Sequence, residues 1–163
     1  MKRPGWLAPT SLVLCLIGLG VSVYLSYEHA TANASLYCPT GASASSCLTV
    51  TTSPWSTLFG IPVAYLGLGY YVFLTGLCLP AVWRSRSRLL DPLRLISLIG
   101  GLGMVLYLVW AELFRIHAIC TWCTVVHVST FALLGVVAFG QILSEPDADV
   151  EPVGADLSQE TVE

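Results

Sequence analysis

The sequence predicts an all-α integral membrane protein, a four-helix bundle with an outer-face loop and a short cap helix between its first and second spans. Two observations lead to this fold class. The 163 residues are 55% hydrophobic and only 10% charged, and the mean hydropathy is +0.76, whereas a soluble domain carries about a quarter charged residues. The apolar residues also fall into four runs, each near the length that crosses a bilayer.

The predicted spans cover about residues 9–27, 60–82, 92–113 and 120–143. A secretory signal peptide is the alternative for the first run, because Ala32-Asn33-Ala34 resembles a cleavage site. The apolar stretch is longer than a usual signal, which favours an uncleaved helix. The four spans form one domain over residues 1–143. Residues 144–163 are acidic and contain prolines, so we expect a disordered cytoplasmic tail.

Basic residues predict the orientation of the spans. In the predicted topology Arg115 alone lies on one side of the membrane, and the other basic residues lie on the opposite side: Lys2, Arg3, Arg84, Arg86, Arg88 and Arg94. By the positive-inside rule both termini are cytoplasmic, in a multi-pass protein of the inner or plasma membrane. The Ser-, Thr-, Ala- and Gly-rich stretch over residues 31–57 then predicts a loop on the outer, periplasmic face, where disulfides persist.

A short cap helix is predicted at the end of this loop. Ser53 is a good N-cap residue, Pro54 suits the first helical position, and aromatic residues follow. Trp55 and Phe59 are suited to the membrane interface. Whether Ser53 only caps the helix or also contacts a ligand stays open.

The motif Cys120-Thr121-Trp122-Cys123 stands at the start of the fourth apolar run. A helix N-terminus stabilises a thiolate, so this pair is poised for thiol–disulfide exchange. His127 shares the helical face of both cysteines, seven residues after Cys120 and four after Cys123. An ionisable residue inside a membrane is a functional candidate by default. The alternative is a histidine that is bonded to a neighbouring helix carbonyl.

The remaining cysteines separate into two groups. Cys38 and Cys47 lie in the outer loop, and we expect them to be redox active, with a static structural disulfide as the alternative. Cys15 and Cys78 fall within apolar runs, where a free cysteine usually acts as a small, buried hydrophobe. We expect the polar turn between the third and fourth spans to be solvated; it holds Glu112, Arg115 and His117.

These motifs, in this order, resemble the vitamin K epoxide reductase family, and most closely its bacterial disulfide-forming branch. The resemblance runs from about residue 12 to about residue 139 and leaves out the tail. It is carried by the loop cysteines, the cap and the last cysteine pair: Cys38, Cys47, Ser53-Pro54-Trp55, Phe59-Gly60-Ile61-Pro62 and Cys120 with Cys123.

The resemblance implies a four-helix bundle around a lipid quinone of the menaquinone or ubiquinone type. It makes Cys120 and Cys123 the active-site pair, with Cys123 nearest the quinone ring. It makes Cys38 and Cys47 the shuttle pair, which exchanges with a thioredoxin-like partner. The quinone-binding residues that it implies are His127, Ser53, Trp55 and Phe59.

Two departures from the animal members of the family favour disulfide formation over vitamin K epoxide reduction. Those members carry a tyrosine at the position of His127 and an asparagine before the second span, whereas this chain has no Asn between Ser53 and Tyr71. Many bacterial relatives also carry a fused thioredoxin-like domain. The tail here is too short for one, so we expect the partner to be a separate protein.

We therefore expect a membrane thiol oxidoreductase that re-oxidises a thioredoxin-like, disulfide-forming partner. The electrons pass to a quinone through two cysteine pairs, and no metal site is expected. Epoxide reduction is the alternative within the family. Two alternatives come from other classes: a membrane metal-binding or transport protein, because Cys and His are soft-metal ligands, and a structural subunit with incidental cysteines.

Overall fold

The computed structural model describes residues 4–31, 44–85 and 89–143. Three helical segments in these ranges are long and apolar enough to cross a membrane, and a further apolar helix, Val63–Cys78, is shorter. The prediction of a helical membrane protein is therefore confirmed, although the second apolar helix is shorter than the span predicted for it. Cys38 and the predicted tail over residues 144–163 lie outside the described residues.

The described chain is built mainly of helices. α1 covers Leu7–Thr31 and α2 covers Ala44–Thr51, and a 3₁₀ turn over Pro54–Ser56, hereafter the cap turn, leads into β1 (Thr57–Leu58) and β2 (Ile61–Pro62). The following elements are α3 (Val63–Cys78), α4 (Pro80–Arg84), α5 (Leu90–Ala111), a π-helical turn (Glu112–Ile116) and α6 (Thr121–Ile142). The two strands pair antiparallel as a small hairpin.

α2 occupies part of the stretch predicted to be a loop. Its sequence is rich in Ser and Thr, which have weak helix propensity, so the local pattern favours a loop. Burial supplies the missing stabilisation, because Cys47 and Val50 lie in a buried cluster with Leu25 of α1 and with Cys120. The loop prediction is therefore wrong over Ala44–Thr51, where tertiary packing overrides propensity.

The segment predicted as a cap helix has only the three residues of the cap turn in helical form. Ser53 stands at its N-cap position and Pro54 is its first residue. The chain then reverses at Phe59 and Gly60, whose φ angles are 51° and 80°. A type I′ hairpin turn requires positive φ at both central residues. The second strand of the hairpin ends at Pro62, and α3 begins at the next residue.

α1 packs against both α3 and α6. At this junction Tyr71 is 1% exposed. Its hydroxyl donates to the carbonyl of Val126 at 3.0 Å and lies 2.9 Å from the Thr130 hydroxyl. The ring lies against Gly18, where a Cβ would overlap it. Small residues allow this close approach between membrane helices.

The glycines predicted to allow close approach in the third span behave differently from one another. A Cβ on Gly101 would overlap the Tyr70 side chain of α3, whereas Gly100 and Gly103 have open space around them. Only Gly101 among the three therefore serves a helix contact.

Two buried groups join helices at the end of α3 that is remote from the cap turn. The first is the cysteine pair: Cys15 and Cys78 are buried, as predicted, and their thiols hydrogen bond each other. The second is Arg94 of α5, which is fully buried. Its Nε and Nη2 donate to the Leu77 carbonyl at 3.1 and 2.6 Å, and its Nη1 donates to Asp91 at 3.1 Å. The last carbonyls of a helix have no helical partner, so Arg94 satisfies the end of α3.

We predict that Gly18→Ala destabilises the protein by about 1–3 kcal/mol, the usual penalty of overpacking a core. The added methyl group meets the Tyr71 ring, which its two hydrogen bonds hold in place. The free energy of unfolding in detergent measures the effect. Gly20→Ala is the matched control, since nothing lies within 4 Å of a Cβ at that position. Equal effects of the two substitutions would show that the contact is not tight.

Candidate active site

Cys120 occupies the N-cap position of α6. Its backbone is extended, with φ −92° and ψ 115°, and its sulfur accepts a hydrogen bond from the Cys123 N–H at 3.4 Å. The sulfur takes the place of the oxygen that a Ser, Thr or Asp cap normally supplies. The sequence prediction that the cysteine pair opens the last helix is therefore confirmed.

The pKa of the Cys120 thiol is lowered. The main cause is the hydrogen bond that the Cys123 thiol donates to the Cys120 sulfur, and the backbone N–H groups of Cys123 and Trp122 act in the same direction against the opposing effect of burial. The thiolate is the nucleophile in thiol–disulfide exchange. Cys120 is therefore the more acidic thiol of the pair and the better nucleophile at the start of α6.

An apolar cavity of about 440 Å³ lies inside the bundle. Residues of α1, α3, α5 and α6 line it, and α2 and the cap turn contribute to the same wall. Its volume falls in the range of small-molecule sites, roughly 300–1,000 Å³. The helices and the cap together enclose space for a flat, apolar ring.

Cys123 and His127 lie one helical turn apart in the wall of this cavity. Cys123 and His127 therefore share a face that borders the cavity, whereas Cys120, the third residue of the predicted face, is not part of its wall. His127 is 6% exposed, and among the residues that the structure describes its ring has no hydrogen-bond partner. The alternative role, a histidine bonded to a helix carbonyl, is not found in those ranges. A buried imidazole at a cavity wall is suited to bind a polar atom of a ligand.

Cys47 lies near the N-terminus of α6, in one buried cluster with Cys120. Cys47 is itself buried and disulfide-bonded. Cys120 and Cys123 are free thiols. The predicted disulfide partner of Cys47 is Cys38, which lies outside the described part of the chain. The fold thus places Cys47, a cysteine of the predicted outer loop, beside the pair Cys120 and Cys123.

The cap residues divide into one that borders the cavity and two that do not. Trp55 is part of the cavity wall. The Ser53 hydroxyl donates to the Val50 carbonyl at 3.0 Å and makes no capping hydrogen bond. Phe59 is 95% exposed at the tip of the hairpin. Of the three cap residues named from the sequence, only Trp55 is in position to touch a molecule in the cavity.

The turn between α5 and α6 is solvated only in part, since Arg115 and His117 are exposed, as predicted, whereas Glu112 is buried. Arg115 is exposed, but its guanidinium lies 4.9 Å from the centroid of Trp55 and 5.4 Å from that of Trp110. Such distances allow cation–π attraction. Arg115 therefore connects the cap turn to the end of α5 through its contacts with both tryptophan rings.

Glu112 is the residue of the site that sequence reasoning missed. It is 5% exposed and lines the cavity, as Cys123 does. The available signal was a carboxyl group inside an apolar segment that continues to Ile116. Arg115 and His117 hide this signal, because three polar residues close together are typical of an exposed turn. The prediction that Glu112 is solvated is therefore wrong.

We predict that Cys123→Ala raises the pKa of Cys120, because the thiol that stabilises the Cys120 thiolate is lost. Cys123→Ser is the matched control, since its hydroxyl still donates a hydrogen bond. The measurement is the pH dependence of alkylation at Cys120 in the reduced protein, read by mass spectrometry of its peptide. The midpoint should move to higher pH in the alanine variant and stay lower in the serine variant. Identical midpoints in the two variants would contradict the role given to Cys123.

The comparison with protein families finds one match. The model of the Vitamin K epoxide reductase family matches residues 9–138, which include the cysteines at both ends of the site and most of the chain. No curated protein is similar enough to this chain to match it. The chain therefore belongs to the vitamin K epoxide reductase family and has a redox function in a membrane.

Proposed function

We propose that this protein re-oxidises a thioredoxin-like, disulfide-forming partner and passes the electrons to a lipid quinone of the menaquinone or ubiquinone type. Two cysteine pairs form the relay: Cys38 with Cys47, and Cys120 with Cys123. The observation that carries the proposal is the position of the second pair. Cys120 shares a buried cluster with Cys47, and Cys123 borders the apolar cavity.

The relay begins at the loop pair. A thiolate of the partner attacks Cys38, and the Cys47 thiolate leaves. Cys47 then attacks Cys120, and the Cys123 thiolate leaves. The partner's second thiolate completes its own disulfide and frees Cys38, which attacks Cys47 and releases Cys120. Each bond made between two sulfurs replaces one that is broken, so the second pair ends reduced.

The residues around the cavity fit a quinone. The wall is mainly apolar, as a lipid-soluble ring requires, and it carries few polar groups, among them His127 and Glu112. A quinone supplies the capacity to accept two electrons and two protons in a site sheltered from water. Cys123 faces the cavity, while His127 provides an imidazole nitrogen for a hydrogen bond to a carbonyl oxygen.

The competing metal-binding function is less well supported. Within residues 4–31, 44–85 and 89–143, no group of three or more His, Cys, Asp or Glu side chains is placed to hold a metal ion. A protein that carries metal through a bundle needs ligands along its interior, whereas the proposed redox cysteines meet at one mouth. We place this mouth on the outer face of the cell membrane and both termini in the cytoplasm, from the distribution of basic residues.

We predict that His127→Ala raises the quinone KM by about 3- to 10-fold, because one hydrogen bond contributes about 0.5–1.5 kcal/mol. Exchange with the partner should be unchanged, since in the proposed relay it takes place at the loop pair and not in the cavity that His127 borders. Steady-state quinone reduction by the purified protein measures the KM. The adjacent Val128→Ala is the control, because Val128 is 60% exposed on the lipid-facing side. An unchanged KM in the His127 variant removes the histidine from the quinone site.

We predict that Cys47→Ser abolishes re-oxidation of the reduced partner, because no Cys38–Cys47 disulfide is left for it to attack. When the partner is supplied in its oxidised form, the free Cys38 thiol attacks the partner's disulfide, and a mixed disulfide between Cys38 and the partner forms. The serine cannot carry the exchange on to Cys120. A purified, disulfide-forming thioredoxin-like protein serves as the probe, and non-reducing electrophoresis with mass spectrometry identifies the linked cysteines. Cys15→Ala is the control for loss of a buried thiol. Partner oxidation at the normal rate in Cys47→Ser rejects the shuttle.

A further inference from the structure

Glu112 has a position that the thiol relay does not use. It opens the π-helical turn at the end of α5, is 5% exposed, and borders the cavity that Cys123 and His127 also border. A buried acid within an apolar, membrane-crossing segment is rare and is a functional candidate by default. A single π-helical turn is itself a form that is frequently found at functional sites.

Backbone hydrogen bonds fix Glu112 against the start of α6. Its carboxyl group accepts the N–H of Cys120, and its carbonyl oxygen accepts the N–H groups of His117 and Ala118, the latter at 3.3 Å. The same carboxyl group lies near enough to both site cysteines to interact with their charges. Glu112 is thus held between the thiol pair and the cavity.

The thiol pair supplies one proton fewer than a quinone takes up when it is reduced. Oxidising a thiolate and a thiol to a disulfide releases two electrons but only one proton, whereas a quinone takes up two of each. Cys120 is the more acidic thiol of the pair, because its sulfur accepts the Cys123 hydrogen bond, so it is the one that forms the thiolate. The cavity wall is mainly apolar, and the side chains in it that could supply a second proton are few, Glu112 and His127 among them.

We infer that Glu112 is the second proton donor of the redox step. It is a neutral acid while Cys120 is a thiolate, because burial disfavours the charged carboxylate and a second negative charge in the same site adds to this effect. When the Cys120–Cys123 bond forms, that negative charge disappears and Glu112 gives up its proton into the cavity.

The step balances in atoms and charge. A sulfur–sulfur bond forms between Cys120 and Cys123, and the S–H bond of Cys123 and the O–H bond of Glu112 break. Two electrons and these two protons pass to the quinone, and Glu112 is left as a carboxylate. Cys123 and Glu112 are protonated again when the next electron pair arrives, and the two protons required are equal in number to those that the partner's two thiols lose on becoming thiolates. This inference rests on the proposed function, since it assigns a role within the same site.

Infrared difference spectroscopy on the quinone-free protein tests the protonation directly. We expect a carboxylic acid C=O band in the reduced protein that is lost when Cys120 and Cys123 are oxidised chemically. Glu112→Gln should remove this band, and Glu28→Gln should leave it, because Glu28 is a glutamate of α1 that does not border the cavity. A wild-type spectrum with no carboxyl change, or a change that persists in Glu112→Gln, overturns the inference.

Single-turnover quinone reduction by the pre-reduced protein provides the second test. Glu112→Gln should be slower by about 100-fold or more, the usual contribution of a positioned acid, and Glu112→Asp should retain part of the rate. Glutamine keeps an oxygen that accepts the Cys120 N–H, so a merely structural role predicts a rate within twofold of wild type. That result would overturn the inference.

Two controls separate the possible failures. Exchange of the partner with the loop pair should be unchanged in Glu112→Gln, which shows that the variant is folded; if the variant misfolds, the wild-type infrared spectrum alone decides. A wild-type protein that reduces no quinone overturns the proposed function. A wild-type protein that reduces quinone, together with an equally fast Glu112→Gln variant, overturns only the role of Glu112.

Discussion

The hydrogen bond from the Cys123 N–H to the Cys120 sulfur ties the chemistry of this protein to the start of one helix. An N-cap residue has to lie where a helix begins, and a membrane-crossing helix begins near the bilayer surface. Cys120 is therefore held at that boundary, beside Cys47. Cys123 lies three residues further along and borders the apolar cavity. Less than one helical turn therefore separates Cys120, which lies beside Cys47, from Cys123, which borders the cavity.

The polar groups inside the bundle need hydrogen-bond partners within the protein, because hydrocarbon cannot solvate them. Arg94 is matched by the Leu77 carbonyl and by Asp91. The Glu112 carboxyl group is matched by the Cys120 N–H. His127 differs from both, because no described residue bonds its ring. A buried polar group without a protein partner is the pattern expected of one that binds a ligand.

The sequence was sufficient wherever the signal was local. Apolar runs located the long helices, and the spacing of Cys120, Cys123 and His127 placed a cysteine and the histidine on one face. It was insufficient where burial depends on residues far away in the chain. α2 has a weak helical pattern and is stabilised by contacts with α1 and Cys120. Glu112 looks exposed beside its polar neighbours, and only the π-helical turn directs it inward.

The length of α3 has a consequence for the surrounding lipid. With 16 residues and a rise of 1.5 Å per residue, this helix is about 24 Å long, whereas the hydrocarbon core of a bilayer is about 30 Å thick. The difference of about 6 Å is a hydrophobic mismatch on one side of the protein, and it is relieved by thinning of the adjacent lipid or by flanking residues that reach for the interface. Apolar residues on both sides of α3, Ile61-Pro62 before it and residues 79–82 after it, are placed to make up this difference.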